Sequence, residues 1–180
     1  MSPEKVVETM HIMQAHIVRL ENYVQKMNSL QKLEDIEIQK MPVSKAEIIS
    51  MLKDSAEIVC EGKTLVFKTA DVGTGAVMVD LSLMQQVYEN ILPNALRYAR
   101  NKINIHLTSD PFAITISDDG CGFSDEDLRN ATNPFYRSAG QNDGQHFGMG
   151  LNICKILCER HGGSLTLSNQ QGGATVKAKF

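Results

Sequence analysis

The sequence predicts an α+β fold, a two-layer sandwich of helices against a sheet, preceded by a coiled-coil-like helix. Three observations predict it. Strands come as hairpins: residues 102–107 and 112–117 alternate with period two around Asp110-Pro111, and 164–168 and 174–179 flank Gly172-Gly173. Helical apolar faces recur near 45–60 and 81–100 ahead of those strands and near 149–161 between the two hairpins. Near the start of the chain, apolar residues recur at the 3.5-residue spacing of a helix-on-helix seam.

That seam is Val6, Met10, Met13, Ile17, Leu20, Val24 and Met27. The steps between them are 4, 3, 4, 3, 4 and 3. Ser2-Pro3 followed by Glu4 marks a helix start. The register slips at Leu30 and Leu33, and no glycine precedes Gly62, so Pro42 is the first breaker. A regular heptad fits packing against a second helix, which predicts a homodimer through this element. Residues 1–42 therefore form one unit and 43–180 another.

In the second unit, Ser44-Lys45-Ala46-Glu47 reads as a capping box. Ile48, Ile49, Leu52, Ala56 and Val59 follow as an apolar face, with Gly62 as the stop. Residues 64–68 and 76–79 are short strands separated by a turn around Gly73 and Gly75. Asp80 caps a long helix over 81–100. The hairpin at 102–117 comes next, then a Gly- and polar-rich stretch over 119–148. A helix over 149–161 stops at Gly162-Gly163, and two strands close the chain.

Composition narrows the function classes. The 180 residues hold 18 Lys and Arg against 21 Asp and Glu, a net charge of −3. A dedicated nucleic-acid binder usually carries a basic excess. A hydrophobic content of 42% excludes a mostly disordered chain. No apolar run approaches the roughly 18 residues of a membrane span, so no membrane contact is expected within this chain. Cys60, Cys121, Cys154 and Cys158 make no CxxC pair and read as reduced, packed thiols, which suit the cytoplasm.

Three segments carry residue types that chemistry uses. Asn90 and Asn94 lie four apart on one helix face, with Arg97 on that side. Buried amides need partners; their oxygens suit a hard cation such as Mg²⁺, whose phosphates Arg97 could face. Alone, the pair also fits a solvated polar face. Pro93 sits inside this helix, where it should cost about 3 kcal/mol. Asp118-Asp119-Gly120-Cys121-Gly122-Phe123 follows a strand. Its carboxylate can accept from an exocyclic amine, and its glycines let backbone approach a ligand, although Asp-Gly turns are common. Gly144-Gln145-His146-Phe147-Gly148-Met149-Gly150-Leu151 runs into a helix N-terminus, a ready anion site. Neither a P-loop nor a dinucleotide fingerprint is present.

With the three segments taken in order, the sequence resembles the catalytic ATP-binding domain of bacterial sensor histidine kinases, in the GHKL superfamily with the Bergerat fold. Asn90–Tyr98 is similar to the family's N box and Asp118–Gly122 to its first glycine box. Asn133-Pro134-Phe135-Tyr136-Arg137 is similar to its F box and Gly148–Leu151 to its second glycine box. The likeness covers about residues 43–180; the upstream helix resembles, less specifically, the second helix of the dimerisation and phosphotransfer domain. The resemblance implies ATP and Mg²⁺ as cofactors. Asn94 would hold Mg²⁺ on the phosphates, with Asn90 in support. Asp118 would accept from the adenine amine, Arg97 and Tyr98 would line the nucleotide, and Arg137 would reach the γ-phosphate. Gly120, Gly122, Phe135, Gly148, Gly150 and Leu151 complete the implied ATP site, and residues 131–147 would be its mobile lid. His146 stands where the family often has glycine.

The resemblance also separates reactions. ATP-hydrolysing members such as the gyrase type carry a Glu four residues before the metal-binding Asn, where this chain has Asn90. Glu89 is turned about 100° from that position. Transfer to another nucleophile is therefore expected over hydrolysis. In sensor kinases the nucleophile is a histidine followed by an acidic residue. His11 and His16 stand in Met-His-Ile and Ala-His-Ile, so the acceptor histidine is expected outside this chain. The expectation is a cytoplasmic fragment of a membrane-anchored kinase that relays phosphoryl groups to a response regulator. It should bind Mg-ATP without labelling itself. Two rivals remain: a nucleotide-binding regulatory module without kinase activity, and a coiled-coil protein whose globular part binds nothing.

Overall fold

The structure, a computed structural model, describes residues 3–34, 36–60, 62–69, 73–138, 148–170 and 172–180. Helix α1 spans Pro3–Glu34. Its seam residues Val6, Met10, Met13, Ile17, Leu20 and Val24 are all exposed. The side chains of Met27, Leu30 and Leu33 lie outside the description.

A short strand, β1 (Met41–Ser44), precedes α2 (Lys45–Val59). Sequence reading missed β1, because Pro42 reads as a breaker. The strand instead pairs antiparallel with β3 (Ala76–Val79), Ser44 opposite Ala76. This pairing also overturns the capping box. Ser44 is the N-cap of α2, but its side chain makes no cap hydrogen bond. The Lys45 N–H goes to the Gly75 carbonyl at 3.0 Å, so the neighbouring strand's turn meets the helix start. Ile48, Leu52 and Ala56 are buried as the apolar face predicts, whereas Val59 is exposed.

The main sheet has order β2-β4-β5-β7-β6. Its strands are β2 (Thr64–Lys68), β4 (Lys102–Ser109), β5 (Phe112–Asp118), β6 (Ser164–Gln170) and β7 (Gly173–Lys179). The hairpins β4–β5 and β6–β7 are antiparallel, and β2 pairs parallel with β4. Thus β2 and β3, neighbours in sequence, belong to different sheets. Helices α3 (Leu81–Tyr98) and α5 (Gly150–Arg160) pack on one face of the main sheet. Val87, Ile91 and Leu92 of α3, Cys154 and Leu157 of α5, and Ile103, Ile105 and Ile114 of the sheet share one core. Tyr88 ties α2 to this layer by donating to the Leu52 carbonyl at 2.9 Å. Cys60, Cys154 and Cys158 are free and buried, packed as small apolar groups. Among the described residues, no helix is long and apolar enough to cross a membrane.

Asp80 caps α3, its Oδ1 accepting from the Leu83 N–H at 3.2 Å. The same carboxylate accepts from the Gln39 N–H at 2.9 Å. Residues 36–40 are thereby fastened to the ends of both helices: Lys40 donates to the His161 carbonyl and Arg160 to that of Ile36. His161 is 1% exposed, and its Nε2 accepts from the Asp80 N–H at 2.9 Å. Its Nδ1 has no partner among the described residues. Burial and then the Lys40 charge hold this imidazole below its usual value, with Asp80 opposing. A depressed histidine stabilises the fold above its unfolded value of about 6.5 and loses that stability as protons bind the unfolded chain. The melting temperature should fall between about pH 7 and about pH 5 as the unfolded chain takes up this proton. In His161→Gln the fall should shrink. An equal fall in both proteins would remove His161 as its source.

Candidate functional site

Elements α3, β5, α4 (Asp125–Asn130), α5 and β7 surround one cavity of about 680 Å³. Its base is apolar, with Ile116, Ala174 and Val176 from the sheet and Met149 and Ile153 beside them. Polar groups enter from the edges.

Asp118 ends β5 and is 7% exposed. Its Oδ1 accepts from the Gly120 N–H at 2.8 Å and the Ala174 N–H at 3.3 Å. Burial pushes this carboxyl up; the two backbone donors oppose the shift, and the Asp119 charge adds to it. Asp119 has a different job. It accepts from the backbone N–H groups of Arg100, Asn101 and Lys102 at 2.8–3.1 Å, and those donors hold its carboxyl low. One carboxylate of the pair lines the cavity, and the other fastens the end of α3 to β5. Gly120 does not line the cavity. It lies buried behind Asp118, where any Cβ would run into the Tyr98 carbonyl. Gly122, Arg97 and Tyr98 all line the wall.

Asn90 and Asn94 also line the cavity, both half-buried on α3. The Asn90 Nδ2 is committed to the Gln86 carbonyl at 2.8 Å. That leaves its oxygen toward α5: a Cβ on Gly150 would lie 3.4 Å from Asn90 Oδ1 and 3.8 Å from Asn94 Nδ2. A larger residue at Gly150 would fill this gap. Helix α3 runs unbroken through Pro93, which is exposed at the cavity wall, so its ring avoids the packed side. Glu89 also reaches the wall, with its Oε1 accepting from Gln85 at 2.8 Å. Its turn round the helix therefore does not remove it from the cavity.

The start of α5 explains the second glycine segment. Gly148 has φ +66°, and a Cβ there would strike the Tyr136 carbonyl. Met149 is the N-cap, and among the described residues no side chain caps the helix. The first backbone N–H groups of α5 thus lack intrahelical acceptors, and Gly148, Gly150 and Leu151 line the cavity beside them. An uncapped helix N-terminus favours an anion through its donors and its dipole.

Arg137 is exposed and lines the cavity. Phe135, with φ +64° and 40% exposure, is not part of the wall; it makes the turn that delivers residues 136–138 to it. The proposed lid over 131–147 falls partly outside the described residues, since 139–147 are not described; Gly140, Gly144 and His146 are among them.

Sequence reading missed Asp127, a cavity residue on α4 that is 8% exposed. It closes a capping box with Ser124, and Tyr136 and Ser138 both donate to its Oδ1. Burial pushes its carboxyl up, but the donors from Ser138, Ser124 and Tyr136 together outweigh burial and hold it low. The Tyr136 phenol is pushed up to about 12 by lost solvent and by Asp127. The Ser-x-x-Asp spacing of Ser124 and Asp127 was the available signal for α4.

The family model described as histidine kinase-, DNA gyrase B- and HSP90-like ATPase matches residues 79–180. Sensor histidine kinase CssS of Bacillus subtilis (strain 168) is 28% identical over 174 residues, 94% of this chain and 37% of that protein. Sensor histidine kinase SpaK of Bacillus subtilis is 31% identical over 171 residues, 90% of this chain and 37% of that one. This chain therefore spans a little over a third of these relatives. Among solved structures, Acinetobacter baumannii histidine kinase AdeS superposes with a TM-score of 0.68 at 21% identity, covering 100% of this chain and 86% of that one. A structure of full-length ShkA in complex with AMPPNP gives 0.70 at 19% identity, covering 97% of this chain and 38% of that one. The shared fold is the two-layer α+β arrangement that the sequence predicts.

Proposed function

We propose, from the premise that this chain belongs to the histidine kinase-, DNA gyrase B- and HSP90-like ATPase family, that it is the ATP-binding catalytic part of a sensor histidine kinase. It would present the ATP γ-phosphoryl group to a histidine outside these 180 residues, for relay to a response regulator. One observation carries the reading. A single cavity brings together a buried carboxylate, two amides and an uncapped helix N-terminus. That set matches a ligand with an amine-bearing base and a charged polyphosphate.

In this reading Asp118 accepts from the adenine amine, and the apolar sheet residues take the ring. Arg97 and Tyr98 line the nucleotide, and the N–H groups at the start of α5 take phosphate oxygens. The amide oxygen of Asn90 faces the room that Gly150 leaves, and with that of Asn94, its amide turned, would fit a hard cation. Bound there, Mg²⁺ would neutralise phosphate charge. Arg137 meets the terminal phosphate, and transfer then rests on positioning and electrostatics. Residues 43–180 are the ATP-binding domain. Residues 1–42 belong to a dimerisation and phosphotransfer domain, with the exposed stripe of α1 as the homodimer seam. The parent protein is membrane-anchored, with this part in the cytoplasm. The ShkA complex with AMPPNP supports an adenine nucleotide as the ligand of this fold.

Incubation with γ-labelled ATP tests the reading. The chain should bind ATP saturably when Mg²⁺ is present and keep no acid-labile label. Phosphohistidine at His11 or His16 would place the acceptor inside the chain. Glu89 at the cavity wall favours one second reading, ATP hydrolysis. Fast phosphate release that disappears in Glu89→Gln would establish it.

A further inference from the structure

Arg137 lies between two residues that bond to one carboxylate. Tyr136 Oη donates to Asp127 Oδ1 at 3.0 Å, and Ser138 Oγ donates to the same oxygen. Asp127 is itself fixed. Its Oδ2 accepts from the Ser124 N–H at 2.9 Å and the Ser124 hydroxyl at 2.7 Å, and it is 8% exposed. The backbone is held on the other side as well, because Gly148 packs against the Tyr136 carbonyl with no room for a Cβ. Asn152 of α5 donates to the Thr132 carbonyl at 2.9 Å and fixes the approach to this segment.

An arginine on an exposed segment loses side-chain and backbone entropy when it is fixed on a phosphate. Fastening the residue on either side removes part of that loss before the ligand arrives. We propose that Asp127 is a positioning residue: by accepting from Tyr136 and Ser138 it clamps the backbone on both sides of Arg137 and holds that guanidinium toward the terminal phosphate. The proposal rests on the nucleotide reading above. It adds that terminal-phosphate recognition depends on a carboxylate that acts through Arg137 rather than by binding the phosphate itself.

The clamp predicts a selective loss. It concerns the phosphate that ATP has and ADP lacks, so ADP affinity should be nearly untouched. The experiment is calorimetric titration of the full chain with Mg-ATP and Mg-ADP. Arg137→Ala should lower the ratio of ATP to ADP affinity about tenfold. Asp127→Ala risks the fold, so the donors are removed instead and the carboxylate stays. Tyr136→Phe with Ser138→Ala should lower the ratio about three- to tenfold, with ADP affinity within about twofold. In the Arg137→Ala background the same pair should cause almost no further loss, because the clamp acts through Arg137. Ser138→Thr with Tyr136 intact keeps the donor and should keep the ratio.

Equal losses for ATP and ADP would make the bonds merely structural and overturn the proposal. Full additivity with Arg137→Ala would overturn it too. Failure of the unaltered chain to bind either nucleotide would overturn the nucleotide reading itself, and the clamp with it. Binding with an unchanged ratio in every variant would overturn the clamp alone.

Discussion

An Asp118→Asn chain should fold and melt like the parent, yet lose adenine-nucleotide affinity by about ten- to a hundredfold. The two halves of this result come from different atoms. Asp118 Oδ1 holds the turn by accepting from the Gly120 and Ala174 N–H groups. An asparagine oxygen can accept both, so the turn survives. The base-reading oxygen becomes an NH₂ group, which meets the adenine amine donor to donor. A hydrogen bond to a charged group contributes roughly 1.5–3 kcal/mol, and its loss sets the range given. Burial already disfavours the ionised carboxyl, so removing the charge costs the fold little. Asp118→Ala should lose binding as well, and also melt lower, because two buried N–H donors lose their acceptor. Titration with a fluorescent ATP analogue, beside thermal melts, checks both variants. Wild-type affinity in Asp118→Asn would remove Asp118 from base recognition. The pH dependence follows from the same group. As its carboxyl lies above the ordinary range, nucleotide affinity should weaken on acidification earlier than for an exposed aspartate.

The second large effect belongs to Asn94→Ala. Without divalent cation, this variant and the parent should bind ATP alike. With Mg²⁺, the parent should gain affinity and the variant should forfeit about tenfold or more of that gain, roughly 1.4 kcal/mol. Phosphoryl transfer to a separately supplied histidine-bearing domain should fall with it, because charge on the phosphates is no longer neutralised in place. Stability should hold or rise. Asn94 is half-buried inside α3, and alanine is the best helix former, with asparagine well below it. A site residue that costs its helix stability is typical of a functional compromise. An unchanged Mg²⁺ response in Asn94→Ala would move the cation elsewhere in the cavity.

Much of this site is legible in the sequence because its parts are local. Asn90 and Asn94 share a face by helix periodicity alone. Gly148 and Gly150 precede a helix by their place before an apolar run. Asp118 ends a strand whose buried and half-buried residues alternate from Ile114 onward. Asp127 was harder. Its partners Tyr136 and Ser138 are nine and eleven residues away, across a turn made by Phe135 at positive φ. Bulky residues rarely adopt that conformation, so no propensity announces it. The capping box at Ser44 failed for a related reason. Ser44 is instead held in a strand pair with β3, whose preceding Gly75 carbonyl takes the Lys45 N–H, and its side chain makes no cap bond.

The sequence by itself determined most of the elements, their order and the family, because periodicity, caps and short motifs act within a few residues; β1 and α4 were left to the structure. Tertiary structure decided the rest. It separated β2 from β3 into different sheets, split the roles of Asp118 and Asp119, and brought Glu89 to the cavity wall. The first two depend on which distant backbone donor or acceptor stands opposite a residue, the third on which face of α3 turns to the cavity, and chain-local chemistry does not specify either. Opposition of that kind is set when the helices close on the sheet and every buried polar group must find a partner.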